Sequence, residues 1–368
     1  MKRFLVFTVL AVVLSAAAVA DSENSAVGRQ TKSFTVAKGG DLEVNISGGD
    51  IRLVPWGKDE VMVVVEGITD EDKDDLMMSQ EGKTIHIDFH PRWGSSGDIK
   101  FIVSLPAQFN ADVNTSGGDI SVDGVMTGKL KGSTSGGDIR TGAIEGPTTL
   151  RTSGGDIRLG KINGEADVKT SGGDVRIESV TRNVNAATSG GDMEVGDIGG
   201  EATLKTSGGD IRAGKVTGKA VLKTAGGNIT LSSASGTAEA TTAGGNIRLE
   251  NITGSITART AGGDVNAELI PSGSGSSDLR TAAGNVVLTI PSNAKATIDA
   301  TIKMRGSRRH QRNNGEFKIH SDFKSETETI SGTEQGEDIH SVIKINGGGE
   351  RITITTSDGN IEIRKMAK

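Results

Sequence analysis

From Thr115 to about Asn285 the chain repeats one hydrophobic pattern, most copies lying eighteen residues apart. Each copy opens on a Thr, at 115, 134, 152, 170, 188, 206, 224, 242, 260 and 281. Ser or Ala, two Gly, Asp or Asn and an aliphatic residue follow, as in Thr152-Ser-Gly-Gly-Asp-Ile157. The aliphatic position makes a column through Ile120, Ile139, Ile157, Val175, Met193, Ile211, Ile229, Ile247, Val265 and Val286. A second column runs Ile144, Ile162, Val180, Ile198, Val216, Ala234, Ile252 and Ile270, and a third Leu150, Val168, Ala186, Leu204, Leu222, Ala240 and Ala258. Between columns the parity is that of strands. Ile157 and Leu159 point inward beside outward Asp156 and Arg158, and Leu150 and Thr152 point inward around outward Arg151. No 3.6-residue period is present, and 53 of the 368 residues are Gly, so helix is a poor reading.

One such unit cannot bury its own apolar edge, whereas stacked units can. The pattern therefore predicts an all-β fold: a β-solenoid of coils of about 18 residues, with a β-rich N-terminal cap and C-terminal capping strands. Nine coils at about 4.8 Å each give a rod about 43 Å long. A second glycine column, Gly146, Gly164, Gly200, Gly218, Gly236 and Gly254, marks another corner. Access to positive φ is the expected reason for glycine there.

Outside the repeats the pattern loosens. Residues 21–31 are polar and read as a flexible lead. Residues 32–114 read as the N-terminal cap, with strands at 33–36, 42–46, 61–65, 84–89 and 99–105 and a loop over 93–97. An acidic-then-apolar run over 69–80 is the one predicted helix. Trp56 and Trp93, the only tryptophans, fall in this cap. Residues 115–285 form the solenoid and 286–368 the C-terminal strands and cap. Those strands are expected at 286–290, 294–302, 343–345, 351–356 and 360–364. Thr356-Ser-Asp-Gly-Asn-Ile361 revives the repeat and is expected to stack on, or cap, the C-terminal end. Caps are needed because a bare solenoid end exposes an unpaired strand edge.

Residues 1–20 read as a signal peptide: Lys2 and Arg3, an apolar stretch over 4–14, then Ala18-Val19-Ala20 before Asp21. The expected product is exported, periplasmic or secreted to the cell surface, with no transmembrane segment in the mature chain. The absence of Cys excludes disulfides, thiolate metal sites, Cys nucleophiles and a lipoprotein anchor. Aromatics make up 3% with no Tyr, which suits a thin solenoid core. A net charge of −6 argues against a general nucleic-acid binder.

The candidate chemistry lies in outward columns. Asp119, Asp138, Asp156, Asp174, Asp192, Asp210 and Asp264 form a ladder in which Asn228, Asn246 and Asn285 substitute. It could hold cations, but the Asn replacements favour turn hydrogen bonds to the backbone. Arg140, Arg158, Arg176, Arg212 and Arg248 form one basic column; Arg151, Lys169, Lys205, Lys223, Arg259 and Arg280 form another. Such stripes could bind anionic polymers or be neutralised by the Asp column. Of these, Arg158, Lys169, Arg176, Lys205, Arg212 and Lys223 are the predicted binding residues. His86, Asp88 and His90 share one strand face, which is a zinc-compatible set or simply an exposed strand. Asp70, Asp72, Asp74 and Glu81 resemble a calcium loop but lack its glycine, Asp75 standing there. Arg308-Arg309-His310-Gln311-Arg312 is a basic cluster. No catalytic residue, cofactor or metal is predicted.

Several stretches together resemble the bacterial "putative adhesin" β-strand-repeat family, whose core domain has no known function. They are Phe34-x-Val36 before Gly39-Gly40, Gly49-Asp50-Ile51, Leu105-Pro106, the Ser-Gly-Gly-Asp-Ile run, Ile290-Pro291 and Gly347 to Ile361. The resemblance spans roughly 32–368. It implies surface association and brings no catalytic or ligand residues. The function expected is therefore non-enzymatic: adhesion, or scaffolding of the envelope, through repeated contacts with cell-envelope or extracellular polymers or proteins. The competing expectation is a polysaccharide lyase or hydrolase on a β-helix. That enzyme would need carboxylates in a cleft that breaks the repeat. Only 266–281 and 305–340 interrupt it, and neither holds a convincing acid–base set.

Overall fold

The computed structural model describes residues 28–91, 98–272, 275–303, 317–324, 327–333 and 336–367. The signal peptide expected at 1–20, the loop at 93–97 with Trp93, and the basic cluster at Arg308 lie outside the described residues.

Each repeat makes one coil with a strand in each of two sheets. The coil at 157–174 shows the plan. Ile157–Ile162 lies in the first sheet and Ala166–Lys169 in the second, with a corner at 163–165 and the Thr-Ser-Gly-Gly-Asp corner at 170–174. Every strand pairs in parallel with its equivalent one coil away. Ile139 stands opposite Ile157, Ile157 opposite Val175, and the column continues through Met193, Ile211, Ile229, Ile247 and Val265 to Val286. The third column stacks likewise, Leu150 opposite Val168 and Val168 opposite Ala186. These inward residues form one continuous core between the sheets. The chain is an all-β solenoid, as the eighteen-residue spacing requires. No helix among the described residues is long and apolar enough to cross a membrane.

Along the rod, coil order departs from chain order at both ends. In the first sheet Asp50–Trp56 lies between Lys100–Pro106 and Ile120–Thr127; in the second, Gly40–Ile46 lies between Thr84–Phe89 and Phe109–Thr115. The coil at 40–56 is thus inserted beneath the coil that follows it. The C-terminal end repeats the device. Glu350–Thr356 lies between Ser276–Arg280 and Ala296–Ile302, and Ile361–Lys365 between Val286–Ile290 and Ile319–Ser321. Thr356-Ser-Asp-Gly-Asn-Ile361 therefore stacks directly on the coil at 281–290. Antiparallel strands finish the stack: Arg29–Thr35 and Glu60–Glu66 on the first sheet, Leu76–Glu81 at the N-terminal edge of the second, Gly336–Ile345 and Thr327–Thr333 at its C-terminal edge.

The N-terminal edges are closed by side chains. Lys32 Nζ donates to the Met78 carbonyl at 2.9 Å and Gln80 Nε2 to the Thr35 carbonyl at 3.1 Å, which occupies backbone acceptors that would otherwise attract another strand. Phe89, Phe101 and Phe109 fill the core at this end. At the other end Asp299 accepts from His340 Nε2 at 2.8 Å and Arg351 Nη2 at 3.0 Å. Burial pulls its carboxyl upward, but the hydrogen bonds from His340 and Arg351 outweigh this and hold it below the usual carboxylate range.

Several expectations need correction. The predicted helix at 69–80 is a 3₁₀ turn, Lys73–Asp75, followed by the strand Leu76–Glu81. Leu76 and Met78 pack on the core while Met77 is 64% exposed; the apolar trio alternates across an edge strand rather than following a helical stripe. A strand begins at Arg29, inside the stretch expected to be a flexible lead. Ile270 does not complete its column. The register shifts after Leu249, and fully buried Leu269 stands opposite Ile252.

The glycines have a different cause from the one expected. In the Gly-Gly corners of 115–284 neither glycine has positive φ. The second is required by close approach: a Cβ on Gly155 would sit 2.1 Å from the Gly137 carbonyl oxygen, and one on Gly173 2.1 Å from that of Gly155. In the other corner close approach also acts, a Cβ on Gly164 falling 2.4 Å from the Gly146 carbonyl oxygen, while Gly146 itself keeps a φ of +159°.

Candidate ligand-binding faces

In-register stacking turns each outward position into a straight row of side chains along the rod. The two rows nearest the Thr-Ser-Gly-Gly-Asp corner knit the coils together. Each Thr hydroxyl donates to a glycine carbonyl one coil back, as Thr152 to Gly137 and Thr170 to Gly155, both at 2.8 Å. The same oxygen accepts the N–H of the glycine three residues on in its own corner. These hydrogen bonds explain a buried Thr at every coil: the hydroxyl is satisfied twice.

The Asp row works across coils rather than within its own turn. The Oδ1 of Asp119 accepts the backbone N–H of Asp138, Asp138 that of Asp156, Asp156 that of Asp174, Asp174 that of Asp192 and Asp192 that of Asp210, at 2.7–2.9 Å. Asn228 and Asn246 supply the same amide oxygen to the next coil at 2.8–2.9 Å, because the rung needs an acceptor and not a charge. The row reaches both capped ends, through Asp50 to Asp119 and Asn285 to Asn360.

In four coils an Arg lies two residues after the rung Asp and takes its second oxygen. Arg140 meets Asp138 at 2.5 Å, Arg158 meets Asp156 at 2.7 Å, Arg176 meets Asp174 at 3.1 Å and Arg212 meets Asp210 at 2.7 Å. Arg248, whose rung is Asn246, turns to Glu250 at 2.5 Å instead. Beside this row runs an open trough of about 750 Å³, whose lining includes Gly196, Gly214, Glu178 and Glu194.

The predicted binding residues divide between two faces. Arg158, Arg176 and Arg212 line the outer face of the first sheet, and Lys169, Lys205 and Lys223 that of the second. Lys169 lies 3.5 Å from Asp167, which also pairs with Arg151 at 2.9 Å. Lys205 and Lys223 stand opposite each other on neighbouring strands and make no ion pair among the described residues.

The remaining candidates are dispersed. His86 Nδ1 lies 3.2 Å from Glu43, and His90 Nδ1 is 2.7 Å from the Ser47 hydroxyl. Asp70 pairs with Lys73 at 2.6 Å, and the Thr69 hydroxyl donates to Asp72 at 2.8 Å. Among the described residues no group of three or more His, Asp or Glu is placed to hold a metal ion. Asp41 is held below the usual carboxylate range, chiefly by the hydrogen bond from Asn110, with Lys83 adding to it. Trp56 donates its ring N–H to the Glu60 carbonyl at 2.8 Å, with Lys58 stacked 4.6 Å from the ring centre.

The family model described as Toastrack DUF4097 matches residues 40–232 and, overlapping it, 161–364. Similar solved structures include a protein named as a putative adhesin from Bacteroides fragilis, 13% identical over 92% of this chain and 97% of that one, at a TM-score of 0.29. A second protein so named, from Parabacteroides distasonis, is 11% identical over 72% and 93%, at a TM-score of 0.32. A protein from the same organism named as a putative lipid binding protein is 14% identical over 72% and 90%, at a TM-score of 0.28. No curated protein matches.

Proposed function

Because the chain belongs to the Toastrack DUF4097 family, we propose that it is an exported, adhesin-like rod that works by adhesion or envelope scaffolding and not by catalysis. The observation that carries this reading is the registered stacking itself. A single outward contact is repeated coil after coil, and weak contacts in such a row sum to useful avidity. The regular carboxylates already serve the fold: each Asp of the row spends one oxygen on the next coil's backbone and, in four coils, the other on an arginine. They are thereby poorly suited to acid–base chemistry, which needs a carboxylate free to exchange a proton with substrate. Export rests on the signal-peptide pattern of residues 1–20.

The test is a binding screen of the purified protein against peptidoglycan, lipopolysaccharide, acidic and neutral polysaccharides and matrix proteins, at low and physiological salt. Saturable binding to one polymer class, without turnover of it, is the expected result. Depolymerisation of any of these polymers by the protein, or no binding to any of them, would contradict the proposal.

A further inference from the structure

We propose that the working face is the basic row of the second sheet, centred on Lys205 and Lys223, and that its ligand is a linear acidic polysaccharide with one carboxylate per sugar. This rests on the polymer-binding reading above and narrows it to one face and one ligand class.

The first sheet is the weaker candidate despite its arginines. Four of them are matched one to one by the aspartates two residues earlier, and Glu178 and Glu194 stand in the same trough. An anionic chain laid there meets at least as many carboxylates as guanidinium groups, so it gains no net Coulomb attraction.

The second sheet is different. Strand register aligns Arg151 with Lys169, Lys205 with Lys223 and Arg259 with Arg280, with Ala187 and Thr241 completing the row. Acidic partners are shared at its ends: Asp167 serves Arg151 and Lys169, and Asp278 serves Arg259 and Arg280. In the middle the outward neighbours of Lys205 and Lys223 are Thr203 and Val221. The nearest acid on the following strand, Glu239, is engaged by Lys219 at 2.6 Å. A positive lane therefore runs along the axis of a protein whose net charge is −6.

The ligand class follows from spacing and chemistry. Adjacent strands lie about 4.8 Å apart, comparable to the advance of one sugar in an extended chain, so successive carboxylates can meet successive members of the row. Lysine offers a compact point charge suited to a carboxylate. Small side chains at 187 and 203 let the chain lie close. This row carries no aromatic residue, which removes the stacking that single-stranded nucleic acid uses.

The test compares the full-length protein with Lys205→Gln/Lys223→Gln and with Arg158→Gln/Arg212→Gln, using polygalacturonate, dextran, single-stranded DNA and the screen above as probes. The expected result is binding of polygalacturonate but not dextran, weakened by salt, and weakened about tenfold in the lysine variant. The arginine variant should bind within about twofold of the parent. Both double variants alter side chains that are exposed or, at Arg158, half-exposed, and circular dichroism melting verifies that they fold. If the arginine variant loses binding and the lysine variant keeps it, this inference fails while the polymer-binding reading stands. The same holds if dextran, DNA or a matrix protein binds and polygalacturonate does not. If nothing in the panel binds, both fail.

Discussion

Replacing Ile211 by Asp lowers the melting temperature of the protein by roughly 10–20 °C, from a loss of about 5 kcal/mol at a few degrees per kcal/mol. Ile211 has no exposed surface and stands between Met193 and Ile229 in the column. Deleting its packing costs about 2–5 kcal/mol, and an unpaired polar group in its place adds roughly 1–3 kcal/mol. Met193 and Ile229, which flank it in the column, carry no side-chain hydrogen-bond donor for the new carboxylate. Because each coil touches only its neighbours, the damage should be local first. Hydrogen exchange should rise across 193–234 before it rises at the capped ends. Ile157→Asp, in the same column, should behave alike. An unchanged melting curve in either variant would mean that this column is not the core.

Gly209→Ala is the second large effect, and it separates close approach from backbone conformation as the reason for glycine. The added Cβ would lie 2.1 Å from the Gly191 carbonyl oxygen and 2.7 Å from the Asp192 nitrogen. Both are backbone atoms and cannot rotate aside. The coils must part, stretching the rung from the Asp210 N–H to Asp192 at 2.8 Å. The expected cost is roughly 3 kcal/mol, at the upper end for overpacking. Gly208→Ala is the matched control: its Cβ would meet the Gly190 carbonyl oxygen at 3.1 Å, which a small shift relieves, so it should cost under about 1 kcal/mol. Urea denaturation of the two variants measures the difference. Equal losses would show that conformational freedom, not approach, selects glycine here.

The stacking plan was legible in the sequence because a solenoid writes its register into its spacing. Ile139, Ile157 and Val175 recur every eighteen residues for the same reason that they pair. The ends were less legible. Ser47-Gly-Gly-Asp50 carries the corner signature, yet nothing local says that its coil is sandwiched between 84–106 and 109–127. Pairing partners far apart in the chain leave no periodic trace. Leu76, Met77 and Met78 fit a buried helical run or an edge strand equally well, and only the partner strand Thr84–Phe89 decides. Near Leu269 a register shift moved the buried position by one residue, which a fixed spacing misses. On the faces, the Asp and Arg columns could be read as neighbours from their two-residue separation. That Lys205 and Lys223 make no ion pair among the described residues depends instead on which residues occupy adjacent coils.

The most direct test of the stacking register uses the absence of native cysteine. Thr203 and Val221 stand opposite each other on adjacent parallel strands of the second sheet. Their Cα atoms should lie about 4.8 Å apart, within the roughly 4.4–6.8 Å that a disulfide spans. Thr203→Cys/Val221→Cys should therefore close an intramolecular disulfide on mild oxidation, with the melting temperature kept or raised. Thr203→Cys/Lys223→Cys, offset by two residues along the strand, should stay reduced, since its separation exceeds about 7 Å. Cross-linking of the offset pair in place of the registered one would contradict the eighteen-residue stacking on which the rest of the account depends.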